Sequence, residues 1–325
     1  MLQNSPELSI IVPSYNCKYA TKTVEDLFEK ASGAIEIIII LDNYWPNPPL
    51  KEHSNLTIIH KGSVLGMRDS INKGVSIAKG KYVMKIDDHC LLEEGFDLAL
   101  EKDMQPDWLV VPSRYSLDAV NWVPIRRAVE YEYLAYPYKY TDKFRYGGIG
   151  LYSKKWLGEH GDDPINMGVT EFYKREDQRK HIKIDDIMIF QGSCWFMEKS
   201  WFEKIGGLFD YATMYNEPVE LVFKTYLFGG RCVVNKNAYY CHMFKGKDFG
   251  NESNIRGYKL DLHAMRETER YGTWYWCNDK WPLATKKMKW LIEKFWPIPG
   301  WPENWEEERD EFYKEHPMTL KEGEA

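Results

Sequence analysis

Residues 81–92 read K-Y-V-M-K-I-D-D-H-C-L-L, an apolar run that stops in three potential metal ligands, Asp87, Asp88 and His89. The short apolar stretch 82–86 has the pattern of a buried strand. Side chains alternate along extended backbone, so Asp87 and His89 are expected to point the same way. A carboxylate and an imidazole so placed can share one divalent cation and leave coordination positions for phosphate oxygens. An acidic strand end that caps the next helix would use the same residue types, so the rest of the chain must separate the two readings.

The elements before this stretch repeat one pattern. Residues 8–12 (L-S-I-I-V) form a β-branched run stopped by Pro13, and residues 36–41 (E-I-I-I-I-L) and 56–60 (L-T-I-I-H) are two more. Between them, residues 20–30 carry helical apolar spacing at Val24, Leu27 and Phe28, continued by Ala31. Residues 64–78 read as a loop entering a helix with Ile71, Val75 and Ala78 on one face. Strand–helix–strand alternation with short connections predicts an α/β fold with a doubly wound, mostly parallel central sheet. Ligands of such sheets bind outside the carboxyl ends of the strands. Asp42, at the end of the second run, and the 87–89 cluster both fall there.

Composition narrows the classes. The chain has 325 residues with 44% hydrophobic side chains, enough for one large domain with an appendage. A net charge of −6 argues against broad, sequence-independent nucleic-acid binding, which needs many phosphate contacts. The six cysteines (17, 90, 194, 232, 241, 277) include no C-x-x-C pair, so neither a zinc knuckle nor a disulfide framework is expected. No apolar run approaches the roughly 20 residues of a membrane helix. Residues 1–7 lack the basic region and apolar core of a signal peptide, and a cytoplasmic location is expected.

Beyond residue 96 the pattern loosens. A strand is expected at 108–112. Residues 114–186 are then rich in Tyr, Arg, Lys, Gly and Asp with weak periodicity, as in a functional insertion, and are assigned to acceptor binding. Residues 187–196 read as a strand interrupted by Gly192-Ser193, where the backbone passes close to something. Helices are expected at 199–205 and 219–228, and short strands at 232–234 and 238–242. Helices are also expected at 260–271, 286–295 and 306–315. The expected organisation is a catalytic domain over 1–250, with a nucleotide-binding half (1–96), an acceptor region (97–190) and a part completing the metal and donor site (191–250). A Trp-rich helical appendage follows over 251–325.

Four segments in order, L-S-I-I-V-P-S-Y-N, E-I-I-I-I-L-D-N, G-M-R-D-S-I-N-K-G-V-S-I-A-K-G and K-Y-V-M-K-I-D-D-H-C, resemble family 2 glycosyltransferases of the nucleotide-diphospho-sugar transferase (GT-A) fold. Downstream, G-G-L-F-D, N-E-P-V-E-L-V-F-K, F-G-G-R-C and Y-Y-C-H-M-F-K look like the corresponding half of the polypeptide N-acetylgalactosaminyltransferases, whose metal motif is also Asp-x-His. This resemblance implies a metal-dependent transfer of a sugar from a UDP-sugar to a hydroxyl acceptor, with Asp87, His89 and His242 holding Mn²⁺ or Mg²⁺. It further implies a nucleotide pocket of Pro13, Tyr15 on the base, Asp42 on uracil or ribose, Arg68 toward the diphosphate, and Asp88 and Trp195 near ribose or donor sugar. Glu217 matches the acidic position of the related G-E-N segment and Glu220 follows it. One of them is a candidate to orient the acceptor or act as general base. The chain lacks the usual acidic pair before this helix, which tilts the expectation toward retention of configuration.

The acceptor is left open among a glycan, a protein hydroxyl and a hydroxylated nucleic-acid base. Two other readings compete. A sugar-phosphate nucleotidylyltransferase would share the sheet, but P-S-Y-N-C-K-Y is not its Gly-rich loop. A non-catalytic nucleotide-sugar or glycan-binding module would not need the acidic and histidine set.

Overall fold

Strands β1 (Leu8–Ser14) and β2 (Ile35–Asp42) are buried at every position, as continuous β-branched runs require when both faces of a sheet are covered. With β3 (Leu56–Lys61) and β4 (Tyr82–Ile86) they pair in the order β3-β2-β1-β4, all parallel. Helices α1 (Ala20–Lys30) and α2 (Met67–Ile77) make the crossovers. A Cβ on Gly74 would sit 2.4 Å from Ile11 Cγ2, so glycine there sets how closely α2 approaches the sheet. Glu36, the one charge inside β2's apolar run, accepts from Ser9 Oγ at 2.6 Å and Lys79 N at 2.7 Å. It thereby ties the turn before β4 to the start of β1.

The computed structural model describes residues 5–134, 136–138, 175–209, 217–244, 271–298, 300–315 and 317. Residues 139–174 of the region assigned to acceptor binding, and almost all of the helix expected over 260–271, lie outside them.

The second half of the sheet is mixed. It contains β5 (Cys90–Leu92), β6 (Trp108–Asp118), β7 (Val123–Val129), β8 (Ile184–Asp186), β9 (Cys194–Glu198) and β10 (Arg231–His242). The ten-stranded sheet runs β3-β2-β1-β4-β9-β6-β10-β5, with β7 on β6 and β8 on β10. Parallel pairing holds for the first four strands and for β6–β10, whereas β9 runs antiparallel to β4 and β6. Helices α3 (Phe96–Lys102), α4 (Lys199–Lys204) and α5 (Glu217–Phe228) complete this half.

Several expected boundaries shift for physical reasons. Of the strand read over 187–196 only the end forms, as the start of β9 at Cys194, because the backbone turns at Gly192, whose φ is +91°, and β8 lies just before it. Ile187 to Phe190 are buried without belonging to a strand. The two short strands at 232–242 are one strand with an irregularity between Asn235 and Tyr239. The strand at 108–112 continues to Asp118, and β5, α3 and β7 carry too few periodic residues to be read beforehand.

Helices α6 (Met288–Lys294) and α7 (Trp305–Glu315) follow. Trp276, Trp281, Trp301 and Trp305 are buried in the same core as the sheet. Trp301 Nε1 donates to Leu134 O at 2.7 Å, and Leu227 O at the end of α5 accepts from Thr285 N at 2.8 Å. Among the described residues no helix is long and apolar enough to cross a membrane.

Candidate metal and nucleotide site

The chain leaves β4 at Ile86, and Asp88 and His89 lie in a turn rather than in the extended backbone expected there. Asp87 and His89 nevertheless converge, because β5 resumes at once and pairs antiparallel with the end of β10. That register sets His242 opposite Cys90, and Met243 N donates to His89 O at 3.1 Å. His89 Nε2 and His242 Nε2 are 3.0 Å apart, and His242 Nε2 is 3.3 Å from Asp87 Oδ2. One ligand atom from each of Asp87, His89 and His242 falls within 4.8 Å of the others.

Asp88 orients this group instead of facing a ligand. Its Oδ1 is 2.7 Å from His89 Nδ1, and its Oδ2 accepts from Ser14 Oγ at 2.6 Å, which in turn bonds the Tyr44 hydroxyl. Both oxygens of the buried carboxylate are therefore engaged within the protein. A proton on Nδ1 shared with Asp88 leaves the Nε2 lone pair of His89 aimed at the cluster. Cys17, Asp88 and His89 also lie close enough to share an ion, but the engaged Asp88 oxygens make the Asp87 set the better donor group.

Lys85, in the middle of the site's strand, is 1% exposed and sits 2.5 Å from Asp87 Oδ1 and 2.8 Å from Gly192 O. Burial by itself would raise the Asp87 carboxyl, but Lys85 and His242 outweigh it and hold the group well below the usual carboxylate range. Burial pushes the His242 imidazole down to about 4, against the opposing pull of Asp87, so the ring is neutral at pH 7. One carboxylate oxygen with two imidazole nitrogens suits a borderline divalent ion such as Mn²⁺ better than an all-oxygen Mg²⁺ site.

The depressed imidazole has a stability consequence. An unfolded histidine takes up its proton near pH 6.5, whereas folded His242 resists until about 4. The unfolded state thus binds more protons in that window, and the native state loses stability as pH falls through it, by up to about 3 kcal/mol. Urea unfolding of chelator-treated protein at pH 7 and pH 4.5 should show the loss, and His242→Gln should flatten it.

Gly192, whose carbonyl accepts from Lys85, is tightly packed. An added Cβ would meet Pro218 Cγ at 2.8 Å and lie 3.3 Å from Glu217 Oε2, at a left-handed φ of +91°. Gly192→Ala is expected to cost about 2–3 kcal/mol in urea unfolding, from strain and displacement of α5. Glu217 is 1% exposed and accepts from Trp195 Nε1 at 2.7 Å. Burial raises its carboxyl, partly offset by Lys85 and Trp195. Trp195 itself is 0% exposed and stacked on Phe202, so it reaches the site through Glu217 and presents no face to a sugar.

Arg68 and Glu220 also depart from expectation. Arg68 Nη1 is bonded to Glu220 Oε2. Glu220 Oε1 accepts from Lys224 Nζ at 2.8 Å and from Phe209 N at 2.9 Å. With both oxygens taken and the residue wholly buried, Glu220 directs no lone pair toward an acceptor. Asp42 is likewise buried. It accepts from Leu65 N at 3.0 Å and Gly66 N at 2.9 Å, with Lys61 Nζ at 3.3 Å, and so pins the loop entering α2. Pro13 is buried at the end of β1, and half-buried Tyr15 beside it meets Tyr44 edge-on at 6.4 Å. Trp45, 66% exposed, stacks on His60 at 4.5 Å.

Sequence reasoning passed over Lys85, Ser14 and Tyr44. A lysine within an apolar strand, two residues before a carboxylate, was the available signal for the first. The other two act through contacts between distant segments and left none.

The chain matches the family model "Glycosyl transferase family 2" over residues 9–206. It is 27% identical to glycosyltransferase GlyG of Streptococcus pneumoniae over 105 residues, covering 30% of this chain and 35% of that protein. It is also 27% identical to an uncharacterised glycosyltransferase of Methanocaldococcus jannaschii, over 37% of this chain and 42% of that one. The matched part thus spans well under half of either relative. Among solved structures, GalNAc-T7 with UDP, GalNAc and Mn²⁺ superposes with a TM-score of 0.59 at 15% identity, covering 90% of this chain and 57% of that one. S. aureus TarS 1-349 in complex with UDP-GlcNAc gives 0.50 at 12% identity, covering 88% and 69%. These likenesses show the GT-A fold.

Proposed function

The chain belongs to glycosyl transferase family 2, and we propose that it transfers a sugar from a UDP-sugar to a hydroxyl acceptor with the help of Mn²⁺. The observation that carries this reading is the convergence of Asp87 Oδ2, His89 Nε2 and His242 Nε2 at the carboxyl end of β4. That position is where sheets of this kind bind nucleotides. GalNAc-T7 was solved with UDP and Mn²⁺, which supports the choice of donor and ion.

In this reading Asp87, His89 and His242 hold Mn²⁺, which when bound supplies Lewis-acid neutralisation of charge on the departing nucleoside diphosphate. Asp88 and Ser14 keep His89 in the tautomer that offers Nε2. Asp42 fixes the loop at 62–66 beside the strand ends, where Tyr15 and Tyr44 border the nucleotide side. The acceptor oxygen bonds to the anomeric carbon as the bond from that carbon to the diphosphate oxygen breaks. The two carboxylates best placed in sequence to be a base, Glu217 and Glu220, are buried and hydrogen-bonded. We therefore assign the hydroxyl proton to the departing diphosphate and favour retention of configuration.

The acceptor region over 97–190 and the division at residue 250 belong to the same proposal. The test is UDP release from a panel of UDP-sugars, with and without Mn²⁺, in wild type and Asp87→Ala. Mn²⁺-dependent release that Asp87→Ala abolishes supports the reading. Release indifferent to both, or no binding of UDP in the presence of Mn²⁺, sinks it.

A further inference from the structure

We infer that Lys85 is a built-in counter-cation that prevents the metal site from holding Mn²⁺ by itself, so that the ion is retained only together with a diphosphate. This rests on reading Asp87, His89 and His242 as the ligands.

The placement of Lys85 is unusual for a lysine. It lies inside β4, between β1 and β9, opposite Trp195 and with its side chain 1% exposed. Taking an ammonium out of water is costly unless it is closely paired. A methionine of similar length would fill the space in this apolar strand without that cost. What only a lysine supplies there is charge and three donors. Two of these are directed at Asp87 Oδ1, 2.5 Å away, and Gly192 O, 2.8 Å away.

Two consequences follow for an incoming cation. First, Lys85 occupies one oxygen of Asp87, so the carboxylate offers a divalent ion only Oδ2. Second, the ammonium cancels the single negative charge of a ligand set whose other members are imidazoles. Asp88, the other carboxylate at this turn, bonds His89 Nδ1 and Ser14 Oγ, so its charge acts on the ion through His89 and not as a ligand. Glu217 is bonded to Trp195 and interacts electrostatically with Lys85 and Asp87, but it offers no atom to the ligand cluster. Facing such a set, Mn²⁺ meets little net attraction and a fixed positive charge a few ångströms behind its first carboxylate. A diphosphate brings both the missing negative charge and the missing oxygen ligands. By linkage, the nucleotide tightens the ion and the ion tightens the nucleotide by the same factor. Once the sugar has been transferred, ion and nucleoside diphosphate can leave as one unit.

The experiment is a Mn²⁺ titration of the full chain, with free ion read by electron paramagnetic resonance, with and without UDP. Wild type is expected to bind Mn²⁺ weakly alone and at least about a hundredfold more tightly with saturating UDP. Lys85→Met should bind Mn²⁺ without UDP at least about tenfold more tightly than wild type, with a correspondingly smaller gain from UDP. Lys85→Arg, which keeps the cation, should stay near wild type. A lysine with a merely structural part would lower the unfolding midpoint and leave Mn²⁺ affinity unchanged or weaker, and that result for Lys85→Met overturns the inference. If Lys85→Met fails to fold, Lys85→Gln takes its place in the same titration with the same two outcomes, and tight Mn²⁺ binding by wild type without UDP overturns the inference. His242→Ala is the control for the ligand reading itself. If it leaves UDP-dependent Mn²⁺ binding intact, the ligand set is wrong whatever Lys85 does.

Discussion

Replacing His242 with alanine is expected to lower Mn²⁺ affinity in the presence of UDP by at least about a hundredfold, and donor turnover with it. Of the three proposed ligands, His242 alone is delivered from the far half of the chain. The antiparallel pairing of β5 with β10 brings it to His89, with the two Nε2 atoms 3.0 Å apart. Its imidazole is neutral in the pH range where such a reaction would be run. No other imidazole or carboxylate among the described residues stands in to complete the set with Asp87 and His89. Isothermal titration with UDP present, repeated at several Mn²⁺ concentrations, measures the loss. A change of less than about threefold would mean that His242 closes the β5–β10 corner without touching the ion.

The largest effect on stability is expected at Glu220. Glu220→Ala leaves Arg68 without the carboxylate bonded to its Nη1, and deprives buried Lys224 and the Phe209 amide of their shared acceptor. Burial pushes Lys224 below its ordinary range, and Glu220 is the chief group opposing that shift. Breaking a buried pair by removing one partner costs about 3–5 kcal/mol. Urea unfolding followed by tryptophan fluorescence should show a loss of that size, and Glu220→Gln, which keeps the volume and one acceptor, should lose less. Equal losses for the two variants would show that space-filling, not charge, makes Glu220 matter.

What could be read from the sequence follows the range over which each signal acts. The bounds expected for helix α1 and strand β4 match the structure because periodicity and burial act within a dozen residues. The convergence of Asp87 and His89 was also legible, although a turn rather than strand alternation brings it about. The placing of Arg68, Trp195, Glu220 and Asp42 was not. Each is bonded to a protein group from a distant segment. Whether an arginine points at a phosphate or at Glu220 depends on how α2 and α5 lie against each other, and no local pattern encodes that. Lys85 shows the converse. Its oddity was visible in K-Y-V-M-K-I-D, but its meaning needs the Gly192 carbonyl, which only the turn before β9 supplies.

The burial of the C-terminal tryptophans bears on engineering. Trp276, Trp281, Trp301 and Trp305 share the core of the sheet, and their segments are bonded to Leu227 and Leu134. These last segments are thus not an exchangeable cassette. A chimera that swaps them onto another transferase to alter its preferences would have to carry the facing surface of α5 and the stretch after β7 as well. Random recombination between homologues should accordingly tolerate crossovers poorly between residue 271 and the end of α7.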